Sequence, residues 1–148
     1  MRAVIQVVQE ASVTIEGQVT GRIGQGYLVL LGVAENDTDE QMKKLVKKMI
    51  DLRIFPDENG KTNLSIEDVN GDIMVVSQFT LLADCKKGRR PSFIKAGNPE
   101  KAKRMYEEFM KECEKRIGKV AHGEFGADMK VALVNDGPFT IVLDSDEL

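Results

Sequence analysis

The sequence predicts an α+β protein, a mainly antiparallel sheet or barrel packed against two long amphipathic helices. Three observations carry that expectation. Short runs rich in β-branched residues, punctuated by glycine, fill the first third of the chain. Two later segments repeat apolar residues at helical spacing. The strands are too numerous, and the crossovers too few, for a doubly wound parallel sheet.

Taken in order, Ala3 to Val8 and Ser12 to Ile15 read as strands, with Gly17, Gly21, Gly24 and Gly26 marking turns. Tyr27 to Val33 is a continuous apolar run, as expected of a strand buried on both faces. The first helix is expected to start at Asp37 as its cap, with Glu40 completing a capping box. Met42, Leu45, Val46, Met49 and Ile50 form its apolar face, and Lys43, Lys44, Lys47 and Lys48 a solvated one.

Leu52 to Phe55 reads as a further strand, closed by Pro56-Asp57-Glu58-Asn59-Gly60. Asn70-Gly71 predicts a tight turn into Ile73-Met74-Val75-Val76. The second helix has Asn98 as cap, Pro99 at its first position and Gly118 at its end. Its stripe is Ala102, Met105, Tyr106, Phe109, Met110, Cys113 and Ile117. Two last strands, Met129 to Val134 and Phe139 to Leu143, are joined by Asn135-Asp136-Gly137-Pro138.

A length of 148 residues predicts a single domain over 1–148, and 42% apolar with 30% charged residues is ordinary globular composition. Cys85 and Cys113 alone make neither a disulfide scaffold nor a zinc site. There is no leader pattern and no apolar run of bilayer length, so a cytoplasmic protein with no membrane association is expected. P-loop, dinucleotide and His-Glu-x-x-His patterns are absent, and no cofactor or metal is expected. Asp57 to Asn63 is not a calcium loop, because Lys61 stands where an oxygen ligand is needed. Gly21-Arg22-Ile23-Gly24 and Gly123-Glu124-Phe125-Gly126 have the spacing of an RNA clamp loop but join strands rather than helices.

Net charge is −3, which by itself argues against a general nucleic-acid binder. Its distribution argues the other way. Residues 86–119 carry 12 basic and 5 acidic side chains, a local +7 between two stretches of −5. Lys86, Lys87, Arg89, Arg90 and Lys95 fall in one acid-free loop beside Phe93. That loop is either solvated or suited to a polyphosphate or RNA backbone.

Two further places can hold chemistry. Ser77-Gln78-Phe79-Thr80 follows four apolar residues, and either caps a buried strand or floors a pocket with N–H, amide and hydroxyl groups. Gly137-Pro138 is either a hairpin turn or a proline held so as to present backbone carbonyls. His122 is the only histidine and has no nucleophile or acid nearby in sequence, which leaves a Ser-His-Asp hydrolase poorly supported.

Together these segments resemble the D-aminoacyl-tRNA deacylases. The likeness rests on Ser77-Gln78-Phe79-Thr80-Leu81, Gly88-Arg89-Arg90-Pro91-Ser92-Phe93 and Asn135-Asp136-Gly137-Pro138-Phe139-Thr140. Ala11-Ser12-Val13-Thr14, Leu52-Arg53-Ile54-Phe55 and Phe125-Gly126-Ala127-Asp128-Met129 support it. The resemblance implies a homodimer that hydrolyses the ester of D-aminoacyl-tRNA, and of glycine mischarged on tRNA, at the terminal adenosine. It implies that Ser77, Gln78, Phe79 and Thr80 are catalytic, with the Phe79 N–H in an oxyanion role. Thr80 is nucleophile or positioner, and the lack of a base favours the second. In the family the terminal 2′-OH is recruited, and a cis Gly-Pro peptide, here Gly137-Pro138, crosses the dimer to exclude L side chains. Lys86, Lys87, Arg89, Arg90, Phe125, Ala127 and Met129 are then the substrate and tRNA contacts.

The sequence departs from the family pattern at three places. Val7 stands where an arginine usually braces the Gly-Pro motif, Phe139 replaces a common valine, and Thr62 a frequent methionine. Two other readings compete: a non-catalytic RNA-binding module using loop 86–95, and a small-molecule esterase using Ser77 or Thr80 with His122.

Overall fold

The computed structural model describes residues 1–148. Its organising element is β1 (Arg2–Ile15), a strand of 14 residues. β1 turns at Glu16 and Gly17, with φ of 49° and 78°, into β2 (Gln18–Ile23). Two successive left-handed residues give a turn whose hand matches strand twist. β3 (Gly26–Gly32) pairs antiparallel with β1 from Val8↔Gly26 to Arg2↔Gly32. β6 (Asp72–Ser77) and β7 (Val120–His122) continue the sheet in parallel, giving the order β2-β1-β3-β6-β7. β8 (Lys130–Asp144) pairs antiparallel with β1 along almost its whole length. β2 also approaches β6 and β7, so the sheet is nearly closed. A small ribbon of β4 (Phe55–Pro56) and β5 (Thr62–Leu64) lies apart.

The expected mainly antiparallel α+β architecture is present. β3 is buried on both faces, as its unbroken apolar run requires. Tyr27, Val29 and Leu31 join the larger apolar cluster, beneath α1 (Asp39–Asp51) and α2 (Pro99–Ile117), while Leu28 joins a smaller one with Val8, Val13, Met74 and Val76. α1 buries its whole expected stripe and α2 all of its own but Met110 and Ile117, which stay half-buried, at roughly 1.5–3 kcal/mol for each large apolar side chain fully removed from water. Asn98 caps α2 by accepting from the Lys101 N–H at 3.0 Å, Pro99 opens it, and Gly118 follows its end at φ 91°. Asn70, at φ 51°, makes the turn into β6.

Several expectations are corrected. Asp37 is not the cap of α1: Thr38 and Gln41 form the capping box. Asp37 is instead buried, binding the Met1 ammonium and the Ala34 N–H, since a buried charge needs a partner. Leu52 to Ile54 is not strand, and β4 starts only at Phe55. Residues 3–8 and 12–15 are one strand, not two, and Gly21 lies inside β2. Likewise the last two expected strands are the single β8. Asn135 to Pro138 is no hairpin turn, because both flanks pair with β1, and the extra residues are taken up as register shifts opposite Gln6 to Glu10.

Candidate active site

Unbroken burial along Ile73–Val76 carries β6 through the core to its end at half-buried Ser77. The Gln78 N–H donates to the Leu31 carbonyl at 2.8 Å, and the chain then winds into one 3-10 turn, Phe79–Leu82. Gly32 permits that close turn: a Cβ there would lie 2.4 Å from Leu82 Cδ2 and 3.1 Å from the Gln78 carbonyl oxygen. Phe79 and Thr80 open the turn, where helical N–H groups have no intrahelical acceptor. Gln78 Nε2 donates to Thr80 Oγ1 at 2.5 Å.

The turn borders a cleft of about 760 Å³. Ser77, Gln78 and Phe79 form one side, and Phe125, Ala127 and Met129, from the loop before β8, another. Six of the expected site residues therefore meet in one cavity. Asp128 is its only ionisable lining side chain, and it is exposed and paired with Lys130 at 3.1 Å. The arrangement can hold an apolar or aromatic group and direct N–H and amide donors at a carbonyl, without a side chain placed to act as general base.

Behind Phe125 stands Tyr106, with ring centroids 6.0 Å apart. The Tyr106 hydroxyl donates to the Val75 carbonyl at 2.9 Å, and burial, helped by the Glu107 charge, pushes its phenol up to about 12. Phe125 thus rests on a fixed support.

The other expected residues lie outside the cleft. Thr80 is exposed beside it. Lys86, Lys87, Arg89 and Arg90 are exposed on a loop whose base is closed by Asp84 and Ser92, paired at 2.7 and 2.9 Å. Phe93, just past that base, meets Phe79 edge-to-face at 5.0 Å and ties the basic loop to the 3-10 turn.

Gly137 and Pro138 do not line this cleft. Their peptide bond is cis, and Gly137 has φ 143°. Asn135 closes the segment by accepting from the Phe139 N–H at 2.7 Å and donating to Thr140 Oγ1 at 3.1 Å and the Phe139 carbonyl at 3.3 Å. Val7 is buried in the larger apolar cluster, and Phe139 packs against that cluster.

His122 lines a neighbouring cavity with neither Ser77 nor Thr80, and its Nδ1 lies 2.6 Å from the Gly123 carbonyl oxygen. The esterase arrangement is therefore not assembled. Sequence reasoning missed the wall made by Gly97, Asn98, Pro99 and Ala102 at the start of α2, whose residues signalled only a helix cap.

No helix is long and apolar enough to cross a membrane. The family model for D-Tyr-tRNA(Tyr) deacylase matches residues 4–144. A D-aminoacyl-tRNA deacylase of Lactobacillus gasseri is 58% identical over 144 residues, 97% of this chain and 99% of the relative. One of Thermosipho africanus is 55% identical over 148 residues, covering 100% of this chain and 99% of its own. Among solved structures, the c-Myc DNA Unwinding Element Binding Protein superposes with a TM-score of 0.92 at 41% identity, over 97% of this chain and 98% of that one. A probable eukaryotic D-amino acid tRNA deacylase, 18% identical with a TM-score of 0.86 over 96% and 97% of the two chains, shares the fold. With the matched model reaching from β1 to the end of β8 and full-length relatives above half identity, the chain belongs to the D-Tyr-tRNA(Tyr) deacylase family.

Proposed function

We propose that residues 1–148 form one cytoplasmic deacylase domain that hydrolyses the ester of D-aminoacyl-tRNA, releasing free amino acid and tRNA. The observation that carries this reading is a cleft lined by Ser77, Gln78 and Phe79 whose sole ionisable lining group, Asp128, is exposed and already paired. An aminoacyl ester is activated enough for positioning and oxyanion stabilisation to suffice. Water adds to the ester carbonyl, and the Phe79 N–H receives the developing oxyanion. The carbon–oxygen bond to the ribose then breaks, and the ribose oxygen takes the proton that the attacking water gives up. Gln78 orients the ester with Thr80 as its own hydrogen-bond partner. The terminal adenosine lies against Phe125, Ala127 and Met129, and Lys86, Lys87, Arg89 and Arg90 meet the acceptor phosphates.

Chiral selection rests on Gly137-Pro138 of a second copy entering this cleft, which makes the enzyme a homodimer with two composite sites. Two observations support it. The segment and the cleft share no cavity within one chain, and the outer edge of β8 has no strand partner while Val134 and Val142 stand exposed on it. Backbone carbonyls placed there reject an L side chain and leave room for glycine, which is accepted as substrate. The Asn135 clasp, with Val7 and Phe139 packing beneath it, takes over the bracing expected of an arginine at position 7.

The test is side-by-side hydrolysis of D-Tyr-tRNA, L-Tyr-tRNA and Gly-tRNA at catalytic enzyme levels. Release from the D and glycyl substrates with the L substrate intact is expected. Binding of tRNA without D-specific hydrolysis would establish instead the non-catalytic module using loop 86–95.

A further inference from the structure

A second cavity, of about 450 Å³, opens beside the cleft and shares Phe125 with it. Ile15 at the end of β1 and Met110 on α2 supply apolar surface, and Lys103, Glu107, His122 and Glu124 supply polar groups. The partition between the two cavities is rigid, because Phe125 is backed by Tyr106 and Tyr106 is anchored on β6. His122 is also held in place: its Nδ1 lies 2.6 Å from the Gly123 carbonyl oxygen, which can only accept. Lys103 is exposed and enters none of the ion pairs of α2, which engage Arg104, Lys111, Lys115 and Arg116.

We propose that this second cavity receives the penultimate nucleotide of the tRNA acceptor end while the terminal adenosine ester occupies the cleft. The proposal rests on the deacylase reading and adds a second nucleotide subsite to it. Successive bases of a single strand bind well on aromatic platforms separated by about one nucleotide step, and Phe125 borders both cavities. The unpaired Lys103 meets the phosphate of that nucleotide. Glu107 and Glu124 do not suit a phosphate, but a carboxylate accepts from the exocyclic amine of cytosine, the base preceding the terminal adenosine in tRNA. The rim thus carries one cation for the backbone and two acceptors for the base.

The test compares D-tyrosyl esters of adenosine and of the dinucleotide cytidylyl-adenosine, with D-Tyr-tRNA as reference. In the native enzyme the dinucleotide ester should show kcat/KM at least about tenfold above the adenosine ester, the scale of one stacked base. Lys103→Glu should shrink that ratio by at least about threefold, and Glu124→Ala should shrink it further, because each removes a contact made only by the second nucleotide. Both sites are exposed, so these variants fold, and far-ultraviolet circular dichroism checks it. A native ratio near one overturns the proposal. So does a high ratio that neither substitution alters, or hydrolysis of D-Tyr-tRNA with neither small ester cleaved. Inactivity toward D-Tyr-tRNA itself sinks the deacylase reading instead.

Discussion

The Arg2 guanidinium donates to the Leu81 carbonyl at 2.8 Å while holding Asp144 at 2.9 and 3.3 Å. One side chain at the start of β1 thereby ties together the 3-10 turn Phe79–Leu82 and the end of β8. Burial alone would raise the Asp144 carboxyl. The Asp146 N–H and the Arg2 guanidinium outweigh it and hold the group below its ordinary value.

Arg2→Met keeps the stem and removes the donors. We expect kcat to fall several-fold with KM little changed, because the turn is loosened while the cleft walls remain. The pair is partly exposed, so the stability loss should stay within about 1 kcal/mol. Since the folded carboxyl is held low, its contribution is present above the ordinary value of 3.8 and fades as pH falls further. Urea unfolding of both proteins should therefore converge in acid. An unchanged kcat would remove Arg2 from the positioning of the turn.

Thr80→Ala removes the hydroxyl that accepts from Gln78, so Gln78 loses its orientation. Turnover should drop by about tenfold, the scale of one lost hydrogen bond of about 1 kcal/mol or slightly more. Quenched reactions of the native enzyme analysed by mass spectrometry should show no acyl-enzyme. A trapped ester on Thr80 would restore it as nucleophile.

Asn135→Ala opens the clasp across Gly137 and Pro138 and leaves the Phe139 N–H without its acceptor. Hydrolysis of L-Tyr-tRNA should rise relative to D-Tyr-tRNA, and Asn135→Asp, which retains the acceptor, should restore part of the difference. Discrimination identical in all three proteins would detach Asn135 from chiral selection.

Arg89→Ala and Arg90→Ala each remove one exposed cation from the loop closed by Asp84 and Ser92. Each should reduce the slope of log affinity for tRNA against log salt by about one. Filter binding across a salt series reads this directly. Unaltered slopes would place the acceptor phosphates elsewhere.

Both tyrosines of the chain are buried, with Tyr27 raised by desolvation and Tyr106 pushed up to about 12. The Cys113 thiol is also raised by burial, to about 12. These groups keep protons that the unfolded chain would release at lower pH, so stability is full below about pH 9 and declines as pH climbs toward 12. Tyrosinate absorbance should stay flat through pH 10 and then rise together with loss of helical dichroism. A smooth titration near pH 10 in the folded protein would contradict the burial.

The elements legible in the sequence were those whose signals serve one purpose. Asn98, Pro99 and Gly118 bracket α2 because each fits one end of a helix and nothing else nearby. Asp37 misled because a short carboxylate suits a helix cap and an ammonium partner equally, and only the fold brings Met1 to it. Asn135 to Pro138 misled because residues that make hairpin turns also make excursions within a strand, and the distinction lies in what the flanks pair with. At the site, polar Ser77, Gln78 and Thr80 after a buried run were conspicuous. The wall from Gly97 to Ala102 was not, since small residues shape a cavity without offering chemistry a sequence can display.

The pairing of β1 with β8 also sets the order in which the molecule can be assembled. Arg2 meets Asp144 and Thr14 meets Lys130, so the longest ladder joins residues separated by most of the chain. During synthesis β1 can pair early with β2 and β3, but its second edge stays open until β8 has left the ribosome. Such distant contacts slow folding and leave a long strand edge exposed to neighbours meanwhile. The nascent protein therefore passes through a stage that is locally folded yet adhesive, ended only when residues 130–144 arrive.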